Sequence, residues 1–300
     1  MLLSLGPICW DGMLYPVLVA WRFACQIGVR AVVVDVPESA NLTGADRVLR
    51  ALRLLAAHPR GVRLEDFSRE LGAPKSTTHR VLRTLSRAGF ASQDEHGWYR
   101  LSLEFLGLAF GHYESLDDRR LVQAVLEALV ERFSETAYYG KLDGVEVVYV
   151  AMVTAPGSLH TASVVGARLP AFRTALGKAM LAYSLTNRTA VDRFVEQYGP
   201  LRASTPNSLT NAAALDRDLA ATRSRGYALD NEENETGVNC IAFPVFLGPA
   251  SRPTGAISVA AIKLRTPLVE LATHADEIGE MIERQLGYGA VKRDRKLDQA

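Results

Sequence analysis

Leu71-Gly72-Ala73-Pro74-Lys75-Ser76-Thr77-Thr78-His79-Arg80-Val81-Leu82 is the stretch on which the fold turns. Leu64, Phe67 and Leu71 mark a short helix that Gly72 closes, because glycine takes the left-handed conformation of a helix end at little cost. Pro74 then stands as the first residue of a new helix, where its missing amide hydrogen is no loss. That helix is predicted to run to about Ala88. Thr78, Val81, Leu82 and Leu85 lie at core spacing along it, whereas Lys75, Ser76, Thr77, His79, Arg80, Arg83 and Arg87 occupy the remaining surface. Residues 74–88 contain no acidic side chain.

Working outward, residues 44–57 place Val48, Leu52 and Leu55 on one helical face and Arg47, Arg50 and Arg53 on the other. His58-Pro59-Arg60-Gly61 breaks that helix. Beyond the basic helix, Gly89 is a stop, and residues 90–92 and 98–101 flank the polar turn 93–97 as a hairpin should. Three helices and a hairpin make a winged helix-turn-helix. A helix face of donors and cations suits phosphates and guanine edges, with residues near its N-terminus reaching bases in the major groove while its amides meet phosphate. A merely solvated basic face is the bland alternative; the order of elements favours double-stranded DNA as the partner. Lys75, Ser76, Thr77, His79, Arg80 and Arg83 are the candidate contacts, and Arg100 on the wing is placed to reach the flanking backbone or minor groove.

The whole chain has 300 residues, 48% of them hydrophobic, and a net charge of +1. These values exclude a disordered chain and a single disulfide-stapled module. The charge is unevenly spread: residues 41–110 carry 11 basic and 7 acidic side chains, while the flanking segments are slightly negative. Cys9, Cys25 and Cys240 are far apart, and neither they nor the six histidines show zinc spacing, so a reducing, cytoplasmic setting without metal or other cofactor is expected. Residues 1–40 hold only five charged side chains. Their uncharged runs are too short to cross a bilayer, which takes about 20 apolar residues, and no basic region precedes them as in a signal peptide. They are expected to be an upstream stretch from a misplaced start, or a poorly ordered arm, with the folded protein beginning near Asn41.

After the wing, residues 101–113 read as a connecting helix and 121–133 as the first helix of a second domain, with the boundary between Gly111 and Asp118. Residues 137–142 and 145–152 flank Asp143-Gly144, a strong hairpin signal. Further strands are predicted over 159–165, 227–230, 241–247 and 256–263, and helices over 175–184, 188–197, 212–224 and 268–286. The result is an α+β chain whose second domain sets helices beside a mainly antiparallel sheet.

Residues 71–82, the wing ending in Trp98-Tyr99-Arg100-Leu101, Gly166-Ala167-Arg168-Leu169-Pro170, Thr174-Ala175-Leu176-Gly177-Lys178-Ala179, Arg225-Gly226-Tyr227, and Gly237-Val238-Asn239-Cys240-Ile241-Ala242 with Pro244 resemble the isocitrate lyase regulator (IclR) family of bacterial transcription factors. The resemblance spans residues 43–287, with its motifs in family order. It implies a winged helix-turn-helix over 41–102, a linker helix over 103–118, a GAF-like effector-binding domain over 119–290 and a flexible tail over 291–300. It also implies a homodimer or homotetramer on operator DNA, acting as repressor or activator of a catabolic operon in response to a small carboxylate. In the family pattern the pocket takes Gly177 and its neighbours, Asp230, Cys240 and two serines two apart on the last strand; here Ser258 is present and Ala260 replaces its partner. Pro170-Ala171-Phe172-Arg173-Thr174 also departs from the commoner Leu-His-Ala after the proline, placing a ring and a cation beside the pocket.

The residues themselves point the same way. Thr174, Ala175 and Gly177 open a helix whose free amides can cradle a carboxylate, Arg173 supplies a second positive contact, and Cys240 and Ser258 are small donors. Cys240 as a plain buried residue and Gly177 as a packing requirement remain open. With Phe172 and Tyr138 or Tyr149 as aromatic walls, an aromatic or keto acid is expected ahead of a sugar acid. The competing function is a nucleic-acid-tethered enzyme acting on a small organic acid, but no nucleophile with a base and no paired carboxylates show catalytic spacing. The run Asp230-Asn231-Glu232-Glu233-Asn234-Glu235 reads as a solvated polar turn rather than a metal site.

Overall fold

The computed structural model describes residues 43–156, 164–247, 251–287 and 289–291. The expectations for residues 1–40 and most of the tail, 292–300, lie outside these.

Helix α1 (Gly44–Ala57) starts at a capping box: the Thr43 hydroxyl accepts the Asp46 amide at 3.2 Å, and the Asp46 carboxylate accepts the Thr43 amide at 2.9 Å. Strand β1 (Val62–Arg63) follows, then α2 (Leu64–Leu71), which ends on Gly72 at φ 68°. Helix α3 (Lys75–Arg87) starts one residue later than expected, because Pro74 takes extended backbone and serves as its N-cap. The wing is β2 (Ala91–Gln93) and β3 (Trp98–Leu101), and β1 makes it three-stranded in the order β1-β3-β2. Two residues are too short to show alternation, so β1 carried no sequence signal. Phe67, Leu82 and Leu85 pack with Leu55 and Tyr99 at the centre of this unit.

The connection contains two helices, α4 (Leu103–Glu114) and α5 (Asp117–Phe133), so the second starts earlier than the periodicity of Leu121 onward indicated. Asp117 and Asp118 sit in its first turn, where negative charge complements the helix dipole.

Strands β4 (Thr136–Asp143) and β5 (Glu146–Val153) join at Gly144, whose φ of 63° the tight turn requires. Strand β6 (Arg168–Pro170) borders β5; the strand expected over 159–165 falls mostly outside the described residues. A single 3-10 turn, Ala171–Arg173, leads into α6 (Ala175–Ser184), followed by α7 (Arg188–Tyr198) and α8 (Ala212–Arg225). Strands β7 (Ala228–Asn231), β8 (Val238–Val245) and β9 (Gly255–Ile262) complete an antiparallel sheet in the order β6-β5-β4-β9-β8-β7. The terminal helix expected as one piece is two, α9 (Leu268–Thr273) and α10 (Ala275–Leu286), broken where His274 serves both as C-cap and N-cap.

One face of this sheet carries α5 and α10, with Val125, Leu129, Ile278 and Ile282 against Tyr139 and Phe243. Val291 is buried in the same cluster. The other face carries α6 and α8, with Leu176, Met180 and Leu219 against Val147 and Ala242. Strand alternation therefore sends Tyr138 and Tyr139 to opposite faces.

Candidate functional site

On α3, burial of Thr78, Val81, Leu82 and Leu85 turns Lys75, Ser76, His79, Arg80 and Arg83 to solvent, with Thr77 half-buried. Pro74 has no side-chain hydrogen-bond donor or acceptor and does not cap the helix, whose first amides lack intrahelical partners. Lys75 Nζ lies 2.9 Å from Glu65 Oε1 on α2; both groups are exposed, and the lysine holds the Glu65 carboxyl below its ordinary range. Arg100 is exposed on the wing but tied: its Nη2 donates to Asp94 Oδ2 at 2.9 Å and its Nε to the Arg60 carbonyl at 3.0 Å. It braces the wing turn against the 58–61 breaker.

The second site is made by strand register. Asp230 pairs with Cys240 and Cys240 with Ala260, which forms one row; Ala242 pairs with Ser258 and Ser258 with Tyr138, which forms the next. These rows underlie the start of α6 and bound a cavity lined by Tyr138, Tyr149, Thr174, Ala175, Leu176, Asp230, Asn234, Glu235, Val238, Cys240, Ser258 and Ala260. Thr174 caps α6, its hydroxyl accepting the Gly177 amide at 3.1 Å. Ala175 and Leu176, in the first turn of α6 where helix amides have no intrahelical partner, also line the cavity. Tyr138 and Tyr149 form an edge-to-face wall, ring centroids 5.2 Å apart.

Of the expected pocket residues, Thr174, Ala175, Asp230, Cys240 and Ser258 line the cavity, whereas Gly177 and Arg173 do not. A Cβ on Gly177 would lie 2.1 Å from the Ala171 carbonyl oxygen, so this glycine is a packing requirement between α6 and the 3-10 turn. Arg173 stands behind the lining, its Nε donating to Asn234 Oδ1 at 3.0 Å. Burial lowers its pKa, with Asp230 opposing. Phe172 is buried but is not among the lining residues.

The acidic run proves to be structured rather than solvated. Glu233 is buried with its Oε1 2.5 Å from Lys178 Nζ, and Lys178 also reaches Asp218 at 3.2 Å. Glu232 accepts from Lys263 and from the Gly237 amide. Asp230 Oδ1 accepts the Glu233 amide at 2.7 Å, and burial, aided by Glu233 and opposed by Lys178, pushes its carboxyl up to about 7. Burial raises Glu235 as well. Asn234 and Glu235 were missed as cavity residues, since six polar residues in succession carry no periodic signal. A polar hairpin connection between two strands that both supply pocket residues is the clue that was present. Cys240 has its thiol pushed well up by burial and the nearby carboxylates, which leaves it a neutral thiol in the lining.

An uncapped basic helix on one part of the chain and a cavity under a helix start on another are its two candidate sites. Residues 44–95 match the IclR helix-turn-helix domain, and residues 112–283 match the domain described as bacterial transcriptional regulator IclR C-terminal. The chain belongs to the IclR family. It is 34% identical over 253 residues to the HTH-type transcriptional regulator XynR of Escherichia coli, a match covering 83% of this chain and 99% of that one. It is 28% identical to the transcriptional repressor IclR of the same organism, over 88% and 97% of the two chains. The crystal structure of the Thermotoga maritima IclR superposes with a TM-score of 0.65 at 25% identity, over 81% and 98%. As an IclR-family member the chain is a DNA-binding transcriptional regulator with a GAF-like second domain, not an enzyme.

Proposed function

We propose that this regulator senses a small hydroxylated carboxylic acid in the cavity beneath α6 and adjusts the affinity of a homodimer, or a pair of dimers, for the operator of a catabolic operon. The carrying observation is the make-up of the lining: Ala175 and Leu176 at a helix start, together with Asp230, Glu235, Thr174 and Ser258. The amides and the helix dipole favour a carboxylate. Asp230, titrating near 7, admits an anion by holding a proton, and Glu235 and the hydroxyls accept hydrogen bonds from ligand hydroxyls. A keto oxygen only accepts, so it leaves the Glu235 carboxylate without a donor, and hydroxy acids take precedence over keto acids, which the sequence favoured alongside aromatic ones. The ring pair of Tyr138 and Tyr149 supports a flat or short carbon skeleton beside it.

DNA reading by Lys75, Ser76, His79, Arg80 and Arg83 is supported by their exposure on α3, with the half-buried Thr77 beside them, and Arg100 contributes by shaping the wing. A dimer through α4 is supported by that helix having no buried residue while Leu103, Leu108 and Phe110 are 84%, 59% and 60% exposed.

A thermal-shift screen of hydroxy, keto and unsubstituted acids of matched length tests the ligand class. A ligand at one hundred times its Kd raises stability by about 2.7 kcal/mol. Hydroxy acids should give the largest shifts, and Ser258→Leu and Cys240→Leu, each shown to be folded, should abolish them. Equal shifts in those variants would place the site elsewhere, and stronger shifts from keto acids would reverse the order of ligands.

A further inference from the structure

The two tyrosines of the cavity wall are each one residue away from an anchor of the linker. Between β4 and β5 the register shifts: Tyr139 pairs with Ala151 and Gly140 with Tyr149, so Val150 is the extra residue of a β-bulge. Its carbonyl is taken instead by Tyr113, in the last turn of α4, whose hydroxyl donates to it at 2.7 Å. The preceding residue, Tyr149, faces the cavity. On β4 the pattern repeats. Tyr138 faces the cavity, and Tyr139, on the opposite face, donates its hydroxyl to Asp118 Oδ2 at 2.7 Å in the first turn of α5. Gly255 leaves room for this, since a Cβ there would lie 2.4 Å from the Tyr139 ring.

Both anchors hold the junction where α4 gives way to α5. Lys141 of β4 also pairs with Asp118 at 2.5 Å, and Arg119 lies 4.2 Å from the Tyr113 ring while pairing with Glu114 at 2.8 Å. The cavity wall and the junction are therefore opposite faces of the same two-strand segment.

We propose that this segment is the coupling element of the regulator: a molecule pressing on the Tyr138–Tyr149 pair shifts the bulge at Val150 and changes the Tyr113 and Tyr139 hydrogen bonds, which resets the direction in which α4 leaves the effector domain. The inference rests on reading the cavity as the effector site. Adjacent strand residues move together because their shared peptide is planar, so displacement of a ring on one face reaches the neighbouring residue on the other. A bulge is where such movement is cheapest, because its extra residue is outside the ladder. Phenol hydrogen bonds weaken steeply once misaligned. Helix α4, twelve residues and so about 18 Å long, turns a small change at its C-terminal end into a larger one at the end that meets the wing.

The test uses amide hydrogen exchange on the full chain, following Leu116 and Arg119, whose amides donate to the Tyr113 and Leu116 carbonyls within the junction. The probe is a side chain: Ser258→Leu intrudes on the cavity, and Ala260→Val gives a smaller intrusion should the first lose its cooperative melt. Four proteins are compared: parent, filled cavity, Tyr113→Phe with Tyr139→Phe, and the combination. Filling the cavity should change junction exchange by about fivefold, the equivalent of one hydrogen bond. The double phenylalanine background should remove at least half of that response. An equal response in both backgrounds, or none in the parent with either intrusion, overturns the proposal. Because no ligand enters this experiment, its failure leaves the cavity assignment standing, while failure of the acid screen leaves the mechanical coupling intact.

Discussion

Lys178 is fully buried and its ammonium meets the Glu233 carboxylate at 2.5 Å, which ties helix α6 to the turn after β7. Both walls of the cavity, the start of α6 and the carboxylates of that turn, are thus joined by this ion pair. Removing one member of a buried pair strands the other charge, so Lys178→Met should destabilise the chain by about 3–5 kcal/mol in denaturant unfolding. The double variant with Glu233→Leu should cost clearly less than the sum of the two single changes. A mild loss in Lys178→Met would mean that the Glu233 carboxyl takes up a proton or reaches solvent once the lysine is gone.

Gly177→Ala is expected to destabilise, although alanine in a helix interior is normally favoured over glycine by about 1 kcal/mol. The new methyl would meet backbone atoms of Ala171, which cannot swing away as a side-chain tip can. Overpacking of this kind costs about 1–3 kcal/mol. Thermal melts decide: a variant as stable as the parent would show that the 3-10 turn moves freely.

Asp230 has its carboxyl raised from 3.8 to about 7 in the folded chain. Across that window the folded state binds more protons than the unfolded one, so this group makes stability fall as pH rises and the loss is complete above its folded value. Glu233 and Glu235 are raised too and act in the same direction. Asp230→Asn should flatten the decline of melting temperature between mildly acidic and neutral pH. The same protonation should tighten carboxylate binding as pH falls through about 7, a trend the asparagine variant should lack. Parallel pH profiles for parent and variant would show that Asp230 titrates elsewhere.

On the DNA side, Arg80→Ala should weaken operator binding by about 1–3 kcal/mol if the guanidinium reads a base. Lys75→Ala should weaken specific and random duplex alike and lower the salt slope by about one. Lys75 already pairs with Glu65 in the free protein, and that exposed contact is readily exchanged for a phosphate. Unchanged binding of both variants across several salt concentrations would remove α3 as the reading helix.

Much of this could be read along the chain, because the relevant forces act over a few residues. The apolar spacing of Thr78, Val81, Leu82 and Leu85 both shapes α3 and turns its cations outward. Gly72 at positive φ, Pro74 ahead of α3, and Asp143-Gly144 between β4 and β5 each specify a local backbone state that few other residues allow. Helix α6 was legible to the residue, since Thr174 caps it and the apolar run stops at Ser184. The break at His274 was not, because no proline or glycine marks it.

What the sequence by itself determined, then, is most of the elements, their order, the basic face of α3 and the small residues beneath α6, because periodicity, capping and turn chemistry are properties of neighbours. Tertiary structure alone decided which of those residues meet. Cys240 and Ala260, or Tyr138 and Ser258, become neighbours only through strand register, and the run from Asp230 to Glu235 divides into ion pairs and cavity lining only once Lys178 and Lys263 arrive from distant segments. Whether a carboxylate is solvated, paired or held protonated depends on the dielectric and the charges around it, and those are set by residues far away in the chain.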